Sequence, residues 1–157
     1  MLFNWILLGE LAIGSAPTTH DDLDRLSSEG IRSILSLCRS EESPLAEGLD
    51  TRFRWRRREL PDHRCGHPPD PAQLAECLDL ISAWIGHGPI YVHCIAAAER
   101  SPLVAMGWLM RRKHLNRLQV LEYLMQVHPP TNPLPEQLAL LDSPLKGQAV
   151  DITALSA

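Results

Sequence analysis

Residues 93–102 read His93-Cys94-Ile95-Ala96-Ala97-Ala98-Glu99-Arg100-Ser101-Pro102. A nucleophilic thiol, five intervening residues and an arginine are the parts of a phosphate cradle. Five residues can curl so that their backbone N–H groups point inward, a nest for an anion. The guanidinium of Arg100 adds a planar fork that grips two phosphate oxygens together. The helix that follows, capped at Ser101, points its positive end at the same place. Cys94 would sit at the base, where loop amides, a helix N-terminus and an arginine together stabilise a thiolate. The bland alternative is a buried structural cysteine at a strand end with a surface arginine beyond it. The flanking residues weigh against that alternative. Pro89 to His93 reads as an apolar strand entering the loop, and Leu103 to Met110 is apolar almost all round and reads as a buried helix leaving it. Ser101 suits the N-cap of that helix and Pro102 its first position.

Phosphate ester cleavage also needs a proton donor for the leaving oxygen, so a carboxyl on a nearby loop is required. Two aspartates lie upstream. Asp62 follows a strand in Leu60-Pro61-Asp62-His63, 32 residues before Cys94. Asp70 precedes Pro71 and is accounted for as a helix cap. Asp62 is the better candidate, and His63 beside it could tune or replace it.

His-Cys-x5-Arg-Ser resembles the signature of the cysteine-dependent protein tyrosine phosphatases, and the chain as a whole resembles their compact dual-specificity branch. The likeness runs over roughly residues 1–142. It includes Trp5-Ile6, Gly14-Ser15-Ala16-Pro17 and Gly30-Ile31 at the start, and Asn132 followed by Gln137-Leu138 near the end. The resemblance implies a three-layer α/β fold with a central, mainly parallel sheet. It implies that Cys94 attacks phosphorus to form a phosphocysteine, and that Ile95, Ala96, Ala97, Ala98, Glu99 and Arg100 bind the phosphoryl group. Asp62, which matches the family's acid loop in position, would act as acid and then base. Ser101 would assist breakdown of the intermediate, His93 would shape the loop and Asn132 would brace it. It implies no metal or organic cofactor. It also raises a protective Cys38–Cys94 disulfide, since Ser36-Leu37-Cys38 matches the context in which some relatives form one.

Two cradle residues depart from the family pattern. Ala97 stands where glycine is usual, and an L-residue at positive φ costs about 1 kcal/mol or more. Glu99 puts a carboxylate beside an anion site and is expected to face outward toward a neighbouring cation. These departures keep a non-catalytic phosphate-binding module open as the alternative function. A rhodanese-type sulfurtransferase also uses a cysteine loop, but its loop length and paired arrangement are not evident.

The elements that position these groups are legible in outline. Trp5–Leu8 and Leu11–Ile13 read as strands joined at Gly9-Glu10, and 14–17 as a turn. His20–Ser28 reads as a helix closed by Gly30, Ile31–Cys38 as a buried strand, Glu41–Gly48 as a short helix, and Thr51–Leu60 as a strand. Pro61–Pro69 reads as loop. Leu74, Cys77, Leu78, Ile81, Trp84 and Ile85 recur at helical spacing in Pro71–Ile85. Leu118–Val127 and Pro135–Leu141 read as further helices. Alternating strands and helices indicate an α/β fold with a mainly parallel sheet. One catalytic domain over 1–145 and a weakly patterned tail over 146–157 are expected.

Hydrophobic residues make up 45% of the 157-residue chain and charged ones 22%, enough for one ordinary core. The net charge of −4 gives no global footprint for nucleic acid or membrane. The apolar start is too short to span a membrane and lacks a basic lead. Four cysteines without CxxC pairing suit a reducing compartment, so a cytoplasmic enzyme is expected. The expected partner is a phosphorylated protein or small phosphomonoester, and nothing sets an oligomeric state. Arg52, Arg54, Arg56 and Arg58 alternate along one strand, which reads as a solvated edge or as a basic surface for acidic substrates. His63-x-Cys65-x-His67 fits no strong zinc template.

Overall fold

The computed structural model describes residues 1–142. The expected tail over 146–157 lies outside the described residues. Five strands, β1 (Phe3–Leu7), β2 (Leu11–Ser15), β3 (Ser33–Ser36), β4 (Arg54–Arg57) and β5 (Ile90–Cys94), form one sheet in the order β1-β2-β5-β3-β4. Only β1 and β2 pair antiparallel, through the turn at Gly9-Glu10; the other pairs are parallel. Gly14 and Ser15, expected in a turn, extend β2 because they pair with His93 and Cys94 of β5. Gly14 has no room for a side chain there: a Cβ would meet Leu2 O at 2.0 Å and the Tyr91 hydroxyl at 2.2 Å.

Strand alternation sends successive side chains to opposite faces. Ile90, Val92 and Cys94 join one core with helices α3 (Pro71–Trp84), α4 (Arg100–Lys113), α5 (Arg117–Val127) and α6 (Pro135–Leu140). Tyr91 joins the other, with α1 (His20–Ser28) and α2 (Leu49–Arg52). The result is a three-layer α/β fold. α1 and α3 begin on capping boxes, Thr19 with Asp22 and Asp70 with Gln73, so Asp70 does its work at a helix end.

Three expectations are corrected. Residues 41–48 form turns, with Pro44 interrupting the segment, and not a helix. The strand expected over 51–60 is limited to Arg54–Arg57, because Arg52 closes α2 and pairs with Asp24 at 2.7 Å. Arg54 and Arg56 remain an exposed pair on an edge strand, while Arg58 lies 3.9 Å from Glu76. Finally, α4 starts two residues earlier than expected: Glu99 is its N-cap, and Arg100 and Ser101 lie in its first turn. Among the described residues no helix is long and apolar enough to cross a membrane.

Candidate active site

β5 and α4 fix the cradle by contiguity. The strand ends at Cys94, five residues turn, and the helix opens at Arg100. Cys94 is buried at the base, with its Sγ 3.4 Å from Ser101 Oγ. Ala97 takes φ +56°, the left-handed conformation that the family's glycine would adopt without strain. Donors from the segment after α5 hold the loop in shape. His128 Nε2 donates to Ala97 O at 2.6 Å, and the Asn132 N–H donates to Ala98 O at 2.6 Å. Carbonyls held this way face away from the anion nest. Asn132 therefore braces the cradle through its backbone. The His128 ring is fully buried, its Nδ1 lies 2.7 Å from the Asn4 carboxamide, and burial pushes its pKa down. His93 is also buried, stacks on Tyr91, and is pushed down to about 3 by burial, so it is neutral.

Arg100 is 3% exposed and held from outside the cradle. Glu42, from the turn after β3, binds it end-on, with Oε2 3.1 Å from Nη1 and Oε1 3.3 Å from Nη2. The carbonyls of Leu37 and Leu60 lie 3.4 and 3.3 Å from Nη1. Nε has no hydrogen-bond partner among the described residues. Glu42 thus occupies the end of the guanidinium and leaves the Nε–Nη2 edge for a second oxyanion. Burial alone would raise Glu42. Hydrogen bonds from Arg100 and the Arg39 N–H, with the charge of Arg100, outweigh it and leave the carboxyl below its ordinary range.

Asp62 is the aspartate brought to the cradle; Asp70 caps α3. Its carboxylate is 4% exposed, caps a 3₁₀ turn at His63–Cys65, and lies 3.8 Å from Arg100 Nη2. Arg64 grips it: Nε donates at 2.8 Å, Nη2 makes a very short contact, and the Arg64 N–H donates at 3.0 Å. These Arg64 hydrogen bonds, against burial, and the charge of Arg100 hold Asp62 well below the usual carboxylate range. Asp62 is therefore held in its ionised form.

Glu99 does not face outward as expected. It is 13% exposed and turned to the acid loop, where Oε1 accepts from the His63 N–H at 3.0 Å and lies 3.2 Å from His63 Nδ1. Asp62, His63, Arg64, Cys94, Ile95, Ala96, Ala98, Glu99, Arg100, Asn132 and Leu134 line one cleft of about 580 Å³. Ala97 is buried beneath it. His63, Cys65 and His67 do not gather as a ligand set; the cluster with metal-like spacing among the described residues is Asp62, His63 and Glu99, and Arg64 already neutralises Asp62. All four cysteines are free, and burial pushes Cys38 up to about 11.

Residues 1–101 match the family model of the DSP-PTPase phosphatase domain of the Swiss Army Knife type, PTP-SAK. The chain belongs to this family. The match takes in Asp62, the whole cradle and Ser101. The structure of the phosphatase domain is similar to Tk-PTP in its active form (22% identity, covering 89% of this chain and 93% of that one, TM-score 0.77). It is also similar to PTPMT1 in complex with PI(5)P (20%, 99% of each chain, TM-score 0.80). A third is the human tyrosine phosphatase-like serine/threonine/tyrosine-interacting protein (18%, 89% and 93%, TM-score 0.79). Identities this low carry the fold alone. Comparison with curated proteins finds no match.

Glu42, Arg64 and His128 are the site residues that sequence reasoning missed. All three act on partners distant in the chain or through contacts that no motif announces. The one available sign was the concentration of charge in Arg39-Ser40-Glu41-Glu42 just after a buried strand.

Proposed function

We propose that this phosphatase domain hydrolyses phosphomonoesters through a phosphocysteine on Cys94. The observation that carries the reading is Arg100. It is buried in the cleft beside Cys94 and Asp62, oriented from behind by Glu42, with Nε unpartnered and Nη2 beside it. That edge fits two oxygens of a phosphoryl group.

In the first step the Cys94 thiolate attacks phosphorus. The S–P bond forms as the ester P–O bond breaks, and the leaving oxygen takes a proton from Asp62. Arg100 and the loop amides balance the charge on the equatorial oxygens. Asp62 must be protonated for this. A bound phosphate competes for Arg100, one of the cations that keeps Asp62 ionised, and its own charge favours the neutral carboxyl. In the second step Asp62 takes a proton from water, whose oxygen attacks phosphorus. The S–P bond breaks, and Ser101, at 3.4 Å, stabilises the departing thiolate. The residues Ile95, Ala96, Ala97, Ala98 and Glu99 form the phosphate nest. Ile95 and Leu134 offer apolar walls for the group that carries the phosphate, a phosphorylated protein side chain or small phosphomonoester. Four free thiols suit a reducing, cytoplasmic setting.

A phosphate-binding module without turnover is the second reading. The ionic hold of Arg64 on Asp62 favours it, because a carboxylate that never takes a proton cannot release the leaving group. Hydrolysis of phenyl phosphate in the presence of EDTA by wild type, Cys94→Ser and Asp62→Asn separates the two. Turnover lost in Cys94→Ser and reduced by about 10²-fold or more in Asp62→Asn is expected. Phosphate binding without turnover by wild type would establish the module instead.

A further inference from the structure

Glu99 is the residue of the cradle whose charge opposes the cradle's purpose. It is also the N-cap of α4, yet its side chain makes no capping bond to that helix. Its carboxylate reaches across to the other loop and takes two contacts from His63, the backbone N–H at 3.0 Å and the imidazole Nδ1 at 3.2 Å. His63 is bonded covalently to Asp62 and opens the 3₁₀ turn that Asp62 caps.

Three ties therefore join the acid loop to the phosphate site. Asp62 itself lies 3.8 Å from Arg100, Arg64 reaches Glu42 at 2.6 Å, and Glu99 holds His63. The first is the one an incoming phosphate competes for, since it uses the same guanidinium edge. Neither the Glu99 carboxylate nor the His63 N–H is a group the phosphate must take. Their contact, like that of Arg64 with Glu42, survives substrate arrival, when Asp62 has given up its contact with Arg100.

We propose that Glu99 is a positioning residue that, through His63, holds Asp62 at the mouth of the cradle while substrate occupies Arg100. The proposal rests on the phosphatase reading above. It ties proton donation to a side chain of the phosphate loop, so that the acid is set in place by the loop that binds the substrate. Glu99 touches neither the reacting atoms nor the leaving group; it acts through the backbone of its neighbour.

The test is a ratio. Phenyl phosphate needs a proton on its leaving oxygen, whereas dinitrophenyl phosphate releases a stable anion and does not. The value of kcat/KM, which reports cysteine phosphorylation, is measured on both substrates with one sample of each variant, so the fraction of folded enzyme cancels. Glu99→Ala is expected to lower the phenyl-to-dinitrophenyl ratio by about ten-fold or more, part of the fall of about 10² or more expected for Asp62→Asn. Glu99→Gln keeps a carbonyl that accepts from the His63 N–H and is expected to restore most of the ratio. Glu99→Ala added to Asp62→Asn is expected to lower it no further, because the two act through one proton. An equal fall on both substrates in Glu99→Ala, or a further fall in the double variant, would overturn the positioning role and leave the phosphatase standing. Absence of turnover of either substrate by wild type would overturn both.

Discussion

Glu42→Ala is the perturbation that best tests how Arg100 is held. The two side chains are 7% and 3% exposed and meet in two contacts of 3.1 and 3.3 Å. Removing the carboxylate leaves a buried guanidinium with two carbonyls at 3.3 and 3.4 Å on Nη1, no hydrogen-bond partner on Nε, and the Arg64-bound carboxylate of Asp62, 3.8 Å from Nη2, as its remaining countercharge. Breaking a buried pair from one side costs about 3–5 kcal/mol, because the remaining charge stays desolvated. In a domain of this size, each kcal/mol lowers Tm by roughly 2–4 °C, so a drop of about 6–20 °C is expected. Urea unfolding at neutral pH measures the loss directly. Inorganic phosphate should return part of it, since an oxyanion on the Nε–Nη2 edge supplies the missing countercharge. Saturation at a hundred times Kd is worth about 2.7 kcal/mol to any protein that binds only when folded. A loss below about 1 kcal/mol in Glu42→Ala would refute the reasoning. The pair would then behave like a solvent-exposed salt bridge, and the orientation of Arg100 would need another source.

Two further outcomes follow from the cradle and its floor. Ala97→Gly relieves about 1–2 kcal/mol of left-handed strain, gives up about 0.8 for the buried methyl and about 0.4–1 for the added freedom of the unfolded chain. The sum stays within about 1 kcal/mol of wild type, and a loss above about 2 kcal/mol by urea unfolding would show that the strain is not there to relieve. Burial depresses the folded-state pKa of His93 to about 3, so below its ordinary value near 6.5 the unfolded chain binds a proton that the folded one refuses. Stability is therefore full above about pH 6.5 and falls with pH down to about 3, by up to about 1.4 kcal/mol per pH unit. His93→Gln should lessen that slope between pH 6.5 and about 5.5, above the range where unfolded carboxylates take up protons, and leave the part that comes from His128, which burial also depresses; an unchanged slope would place the titration elsewhere.

The cradle was legible because its parts are contiguous. A strand, a loop and a helix that follow one another in sequence can be read as a local object, and Cys94, Arg100 and Ser101 meet where the order of residues puts them. Asp62 was legible for a related reason, since a turn after a strand returns near the neighbouring strand end. Glu42 was not. It reaches Arg100 across 58 positions of sequence, and the segment that carries it was expected to be helical. Pro44 and the buried Ser43 make it a turn behind Arg100, and only the sheet order β5-β3 brings that turn there. The strand expected over 51–60 failed similarly. Alternation of arginine with aromatic residues is a real period-two signal, but the register with β3 supports only four residues of it.

Glu99 shows where sequence reasoning meets its physical limit. Residue type alone marked it as an oddity, a negative charge at the lip of an anion site, and the cheapest resolution is to turn it to solvent. The fold offers a better one. His63 presents a backbone N–H that has no partner in its own 3₁₀ turn, because the first N–H groups of any helical turn lie outside its hydrogen-bond ladder. A carboxylate that meets such a donor is stabilised without leaving the cleft, and its repulsion of phosphate is reduced by the polarity it has already engaged. The same contact joins the loop after Cys94 to the loop that carries Asp62. A residue that looks hostile to an anion in one dimension is, under the proposed mechanism, the support for Asp62.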